Sequence, residues 1–253
     1  MDQEKIALSL LAHPDDAETY LSGTMTMLHQ KGWKIHIATM TPGDCGSVEH
    51  NREQISRIRK AEAARSAALL DGSYHCLECD DVFVMYDRPT LLKAIKLLRE
   101  VRPTLVFAPS PSDYMIDHEM TSRVAQTACF ACGIPNVETP GVKAFDSVPH
   151  LYYVDASGGK DVLGNKIEPS ILVDITSVIK IKEDMLCCHE SQRNWLRAHH
   201  GIDEYVISMK NFAQERAELI GCDYAEGFRQ HLGHAYPDDN MLKSELKDKV
   251  YIR

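Results

Sequence analysis

Short apolar runs alternate along the chain with longer segments of helical periodicity. Residues 6–12 are almost continuously apolar, which is the pattern of a strand buried on both faces of a sheet. A helical pattern over about 17–30 ends at Lys31 and Gly32, and residues 34–40 form a second strand-like run. A strand, a helix and another strand in this order predict the opening of a doubly wound parallel sheet.

The same alternation continues beyond the second strand. It predicts helices at about 52–70, 91–100, 120–132, 178–188 and 208–221, and strands at 74–77, 103–108, 150–154 and 171–174. Neither an internal repeat nor a linker-like tract divides the sequence. We therefore expect an α/β fold in which residues 1–253 form one domain: a Rossmann-like three-layer sandwich with a mostly parallel central sheet and a loop-rich, helical C-terminal part.

Composition and charge narrow the class of protein. Of the 253 residues 44% are hydrophobic, and 28 basic against 37 acidic side chains give a formal net charge of −9. This apolar fraction is typical of a globular protein, no apolar run is long enough for a membrane span, and the acidic balance argues against a nucleic-acid partner. The first residues lack the features of a secretory signal, which predicts a cytoplasmic protein.

Candidate chemistry lies at the ends of three predicted strands, in the segments His13 to Asp16, Gly43 to Gly46 and Asp113 to His118. Ligands of open α/β sheets bind beyond the carboxyl ends of the strands, so we expect the fold to bring these segments to one edge. A histidine beside two carboxylates needs a compensating charge, and imidazole with carboxylate ligands suits zinc. A turn with a helix N-cap at Asp16 explains the first segment as well, so that segment alone leaves both interpretations open.

Two of these segments resemble the motifs of a known family, the PIG-L/LmbE-type zinc N-deacetylases. The segment from Ala12 to Glu18 reads AHPDDAE and matches the family's AHPDDxE-like hallmark after the first strand. The block from Asp113 to His118, followed by Thr121, is similar to the second family motif, close to DYHxDH. The resemblance covers roughly residues 5–192. It implies one zinc ion or another divalent metal per chain, a small N-acetylated sugar of the GlcNAc type as substrate, and a homotrimer or homohexamer.

The resemblance also implies roles for individual residues. His13, Asp16 and His118 would be the metal ligands. Asp15 would be the general base that takes a proton from the attacking water and later returns it to the leaving amine. Asp117 would orient a neighbouring imidazole.

Three further positions are candidates for substrate binding. Arg59 resembles the family arginine that contacts substrate, although a helical i,i+3 pair with Glu62 explains it equally well. Met115 stands where most of the family has the first histidine of the second motif, and its thioether cannot replace an imidazole as a hydrogen-bonding group. A histidine of the C-terminal part would restore the missing group, the candidates being His189, which we expect to pack near the site, and His199, His200, His231 and His234.

Met115 leaves three functions open. The first is removal of an N-acetyl group, either with zinc and Asp15 alone or with another histidine in the site. The second is a metal-dependent hydratase or lyase reaction on a small unsaturated carboxylate, with Asp15 as the base. The third is a non-catalytic module that zinc stabilises. The sequence favours the first function because Met115 is the one departure of consequence from the two motifs.

Overall fold

The computed structural model describes residues 4–193 and 204–253, and the strands within these ranges form one mixed sheet. The eight strands found there are β1 (Ile6–Leu11), β2 (Lys34–Thr39), β3 (Ser73–Cys76), β4 (Leu105–Ala108), β5 (His150–Val154), β6 (Ile171–Asp174), β7 (Ala225–Gln230) and β8 (Val250–Ile252). They lie in the order β3-β2-β1-β4-β5-β7-β6-β8. The first five pair in parallel, and β6, β7 and β8 join through antiparallel pairs. The predicted α/β fold with a mostly parallel central sheet is confirmed.

Helices cover both faces of this sheet. Those described are α1 (Asp16–Tyr20), α2 (Ser22–Gln30), α3 (Arg52–Ala68), α4 (Arg88–Val101), α5 (Ile116–Ala131), α6 (Ile179–Cys187), α7 (Glu204–Ala217) and α8 (Met241–Leu246). Alternate residues of β1 enter two separate cores: Ala7 and Leu11 pack on one face, and Leu8 and Leu10 pack on the other, beneath α4 and α5. Because both faces are buried, β1 is apolar throughout instead of alternating. None of the helices in the described ranges is long and apolar enough to cross a membrane.

The single helix predicted over residues 17–30 is wrong, because the chain leaves the helical conformation at Leu21, where φ is −139°. Glu226 of β7 accounts for the new start of α2. Its carboxylate accepts hydrogen bonds from the backbone N–H groups of Gly23 at 2.9 Å and Thr24 at 2.7 Å. These are N–H groups of the first turn, which have no partner inside the helix. The acceptor lies 203 residues further along the chain, so the local pattern could not indicate the break.

The carboxylate that caps α2 also takes part in a buried ion pair. Lys182 Nζ lies 2.6 Å from Glu226 Oε1, and both side chains are almost completely buried. Lys182→Met would leave the charge of Glu226 uncompensated in the interior. We therefore expect this substitution to lower the free energy of unfolding by about 3–5 kcal/mol.

Urea denaturation of the purified variant measures this loss. Lys180→Met is the matched control, because Lys180 on the same helix forms an exposed pair with Asp184. Exposed pairs of this kind contribute only about 0.3–0.5 kcal/mol. Equal losses in the two variants would contradict the prediction.

Candidate metal centre

The three polar segments that follow predicted strands meet at the carboxyl end of the parallel sheet. They line one cavity of about 650 Å³, which we call the central cavity. His13 follows β1, Cys45 and Gly46 lie in the loop after β2, and His118 lies beyond β4. The predicted convergence of the three segments is confirmed.

Three side chains of the cavity lining place their ligand atoms around one point, which we call the metal point. Asp16 Oδ2 lies 3.6 Å from His13 Nδ1 and 3.5 Å from His118 Nε2. The three residues are among the groups whose ligand atoms all lie within 4.8 Å of one another, and all three are buried. The structure thus brings together the three metal ligands that the sequence predicts.

The hydrogen bonding of His118 tests whether a cation fits here. His118 Nε2 is buried and has no hydrogen-bond partner among the described residues. Its other ring nitrogen, Nδ1, lies 3.3 Å from Asp113 Oδ2. A histidine that binds a metal through one nitrogen usually donates the other to a carboxylate or carbonyl, whereas a buried nitrogen that makes no hydrogen bond is costly. Asp16 Oδ2 lies 3.5 Å from Nε2 but is not in hydrogen-bonding geometry with it. The residues present therefore fit a divalent cation.

Carboxylates also surround the imidazole of His13. Its Nε2 lies 3.2 Å from Asp81 Oδ1 and 3.4 Å from Asp117 Oδ2. Asp117 is fixed in turn by the backbone N–H groups of Val82 at 2.7 Å and Val84 at 3.2 Å. Asp117 therefore lies beside the imidazole of His13, as it must if it is to orient that ring. Asp81 lies in the loop after β3, outside both motifs, and no pattern in the sequence indicates that it belongs to the site.

The carboxylates and imidazoles of the centre stabilise each other's charged forms. Burial disfavours the charged form of Asp16, but the imidazoles of His118 and His13 outweigh this effect and hold the pKa of Asp16 well below its usual range. Burial likewise opposes protonation of His118, yet Asp16 and Asp113 raise its pKa to about 10. The carboxylates therefore attract positive charge to the imidazoles, in the form of protons or of a metal ion.

Asp15 lies next to this centre but contacts other groups. Its φ of 96° places it in the left-handed region, which is uncommon for a residue other than glycine and is concentrated at functional sites. The hydroxyl of Tyr205 donates a hydrogen bond to Asp15 Oδ2 at 2.5 Å, and Arg59 Nη2 lies 3.4 Å from the same oxygen. Burial raises the pKa of Asp15, and the charge of Arg59 acts in the opposite direction. The sequence did not indicate Tyr205, which lies on α7 outside any motif.

Arg59 lines the central cavity, but its guanidinium already bonds the main chain. It donates to the carbonyl oxygens of Pro14 at 2.7 Å and Gly43 at 3.3 Å. The alternative partner, Glu62, accepts hydrogen bonds from the backbone N–H and the hydroxyl of Ser191. Arg59 therefore joins the loops after β1 and β2, and substrate contact by Arg59 stays a prediction.

The other predicted substrate residues occupy different surroundings. Met115 is the N-cap of α5 and lines the central cavity. His189 is fully buried, with Nε2 3.3 Å from Glu18 Oε2, and it is not among the residues that line the cavity. The described histidines of the cavity wall are His13 and His118. Of the remaining candidates, His231 bonds the hydroxyl of Tyr153, His234 is exposed, and His199 and His200 lie outside the described residues.

Comparisons with known proteins place this geometry in context. A family model described as PIG-L, GlcNAc-PI de-N-acetylase, matches residues 8–129. The chain is 26% identical over 240 residues to the diacetylchitobiose deacetylase of Thermococcus kodakarensis, covering 89% of this chain and 82% of that protein. It is also 24% identical over 199 residues to the 4-oxalmesaconate hydratase of Pseudomonas putida, covering 76% of this chain and 75% of the relative. A solved structure of N,N'-diacetylchitobiose deacetylase from Pyrococcus horikoshii is similar with a TM-score of 0.78 and 25% identity, over 92% of this chain and 87% of that one.

Proposed function

The chain belongs to the PIG-L/LmbE-like deacetylase family, and we propose that it is a zinc-dependent hydrolase that removes the N-acetyl group from an amino-sugar conjugate of the GlcNAc type. The observation that carries the proposal is the buried group of His13, Asp16 and His118, in which a ring nitrogen of His118 lacks a hydrogen-bond partner among the described residues. Relatives named as diacetylchitobiose deacetylases support the sugar substrate.

Two imidazoles and one carboxylate form a donor set that zinc favours, and a catalytic zinc site keeps a further position open. His13, Asp16 and His118 would hold the ion. Bound there, zinc would supply Lewis acidity, polarising a carbonyl oxygen and bringing the pKa of water toward about 7. Asp113 beside His118, and Asp81 and Asp117 beside His13, would fix the orientation of the two imidazoles.

Asp15 would carry the proton transfers. Tyr205 and Arg59 both approach its Oδ2, which leaves Oδ1 to accept the proton of the attacking water. The water oxygen forms a bond to the carbonyl carbon of the N-acetyl group, and the carbon–nitrogen bond then breaks. The proton held by Asp15 passes to the amine nitrogen, so that the free amino sugar and acetic acid leave and Asp15 is ionised again; the acetic acid then loses the second water proton to solvent and becomes acetate.

Tyr205 would act by holding Asp15 in place. Burial and the neighbouring Asp15 hold the pKa of Tyr205 well above its usual range, so its hydroxyl stays a donor. We expect Tyr205→Phe to lower kcat about 10-fold, because one hydrogen bond to a charged group is lost. Steady-state acetate release measures the effect, with Tyr251→Phe on the edge strand β8 as the control.

The Asp15→Asn background distinguishes this role from a general structural one. If Tyr205 acts through the carboxylate, Tyr205→Phe should change kcat less than about 3-fold in that background, because coupled residues are not additive. An undiminished 10-fold loss there would contradict the role.

Similarity to a hydratase and the presence of Met115 favour a second candidate, the addition of water to an unsaturated carboxylate. The charge of the cavity argues against it. Asp15, Asp81 and Asp117 face the cavity, and Arg59, the one arginine or lysine among its described lining residues, is bonded to main-chain carbonyls. The bound zinc ion would offset only part of this negative charge, so a neutral amide meets less repulsion here than a substrate with several carboxylates.

One experiment compares the two candidates directly. The zinc-loaded protein is incubated with diacetylchitobiose and N-acetylglucosamine glycosides, and acetate is measured. Parallel reactions with small unsaturated acids are followed by their loss of absorbance. We expect acetate release from the sugars, whereas turnover confined to the acids would overturn the proposed function.

A further inference from the structure

The lining of the central cavity includes four large, mainly apolar side chains, of which three are exposed and Met115 is half-buried. They are Val82, Tyr114, Met115 and Ile116, which we call the apolar wall. The exposed fractions of Val82, Tyr114 and Ile116 are 65%, 60% and 59%, values that are high for large apolar side chains in one cluster. We infer that the apolar wall is a subsite for an apolar or aromatic aglycone of the sugar substrate. This inference rests on the proposed function.

Hydrogen bonds connect the backbone of the wall to the metal centre. Asp117, which faces His13, accepts hydrogen bonds from the backbone of Val82 and Val84. Asp113, which faces His118, accepts one from the backbone of Met115 at 3.1 Å. The carboxylates beside the two imidazoles thus also fix the two loops that carry the wall.

The backbone of Val82 carries strain at this position. Its φ of 74° is an outlier for a β-branched residue. Strain of this kind persists where the surrounding structure enforces it, and it is concentrated at ligand sites. The strained conformation presents an apolar side chain to the cavity instead of burying it.

The rest of the cavity lining is polar, so a substrate would meet two different surfaces. Thr19, Tyr20, Ser157 and Gln192 line the cavity together with the metal centre. Polar groups fix the orientation of a ligand, whereas apolar walls bind through the removal of apolar surface from water. A cavity of about 650 Å³ lies within the range of about 300–1,000 Å³ that holds drug-sized ligands. The polar part would therefore bind the sugar and the apolar wall the group attached to it.

The negative charge of the cavity lining distinguishes between neutral and anionic aglycones. Asp15, Asp16, Asp81 and Asp117 all belong to the cavity lining. An anionic aglycone would enter next to these carboxylates, whereas a neutral apolar one would lose nothing by their presence. The subsite therefore favours phenyl or alkyl groups over groups that carry a carboxylate.

A series of N-acetylglucosaminides tests the inference. Acetate release is measured for the methyl, hexyl, phenyl and carboxymethyl glycosides and for diacetylchitobiose. We expect kcat/KM to rise about 10-fold from the methyl to the phenyl and hexyl glycosides, mainly through KM. The carboxymethyl glycoside should not exceed the methyl one. Equal values for the methyl, hexyl and phenyl glycosides, or a gain confined to diacetylchitobiose, would overturn the inference.

Substitutions in the apolar wall test whether its residues cause the preference for the phenyl and hexyl glycosides. Tyr114→Ser and Ile116→Ser should each reduce the phenyl-to-methyl ratio of kcat/KM toward one. Leu163→Ser is the matched control, because Leu163 is 83% exposed and does not line the cavity. An unchanged ratio in both wall variants would overturn the inference. A lower oligomeric mass of Ile116→Ser in sedimentation, with the ratio unchanged, would show instead that a second copy of the chain covers the wall.

Binding measurements separate this inference from the proposed function. Calorimetry with the Asp15→Asn variant compares the affinities of the phenyl and methyl glycosides without turnover. Tighter binding of the phenyl glycoside, together with no acetate release by the wild type, would contradict deacetylation and keep the apolar subsite. Acetate release from all glycosides at equal rates, with equal affinities, would support deacetylation and contradict the apolar subsite.

Discussion

Replacing Asp15 by asparagine is expected to lower kcat for acetate release by about 10³-fold, while zinc content and KM stay near their wild-type values. The amide has the size of the carboxylate and can still accept the hydrogen bond of Tyr205, but it cannot take a proton from water. Asp15 is not one of the three residues whose ligand atoms surround the metal point, so the ion should be retained. Steady-state kinetics and metal analysis of the same preparation measure both quantities.

The control for this substitution is Asp146→Asn, which makes the same chemical change at an exposed aspartate remote from the cavity lining. Two results would contradict the assignment. Retention of most of the activity would remove Asp15 from the proton transfer. Loss of the metal together with the activity would show that Asp15 is a ligand and not a base.

Much of the parallel part of the fold could be predicted because strands such as β1 and β4 are buried on both faces. Residues 6–11 and 105–108 are entirely buried, and a strand of this kind is an uninterrupted apolar run in the sequence. Helices with capping residues separate these runs, as at Asn51, whose side chain and that of Gln54 form a capping box at the start of α3. Apart from the break between α1 and α2, local pattern and tertiary structure agree in this half of the molecule, so the order of its strands follows from the sequence.

The antiparallel part could be predicted only in part, because its stability depends on distant partners. β7 has polar residues within it: Glu226 pairs with Lys182, and Arg229 bonds the hydroxyl of Ser110. It also contains Gly227, where a side chain would collide with the carboxylate of Asp155. None of these partners is a neighbour in sequence, and a short stretch with glycine and charged residues is not a pattern that predicts a buried strand.

The same contrast applies to the candidate site. His13, Asp16 and His118 lie in two motifs, and the carboxyl ends of parallel strands necessarily share one edge, so their meeting could be predicted. The presence of Asp81 and Tyr205 at the site could not be predicted. Asp81 comes from the loop after β3 and Tyr205 from α7, and each reaches the site only through the packing of the whole chain. Met115 led us to expect a histidine from the C-terminal part, and none of the described ones lines the cavity; the described group that reaches Asp15 from there is the hydroxyl of Tyr205.

The second prediction with a large expected effect is the removal of a metal ligand. His118→Ala should abolish both zinc binding and acetate release, because it removes one of three protein donors and leaves the charge of Asp16 uncompensated on that side. His29→Ala is the matched control, since that imidazole lies near the surface opposite Asp71. Zinc per chain is measured after dialysis against a weak chelator, and acetate release is measured on the same samples.

Asp113→Asn gives the intermediate step that the geometry predicts. Asp113 contacts His118 Nδ1 and not the metal point, so its loss should weaken zinc binding about 10- to 100-fold without abolishing it. Zinc affinity should therefore be highest in the control His29→Ala, lower in Asp113→Asn and lowest in His118→Ala. Activity at limiting zinc should fall in the same order. Full zinc content in His118→Ala would contradict the assignment of this centre, because Nε2, which makes no hydrogen bond to the described residues, would then have no part in holding the ion.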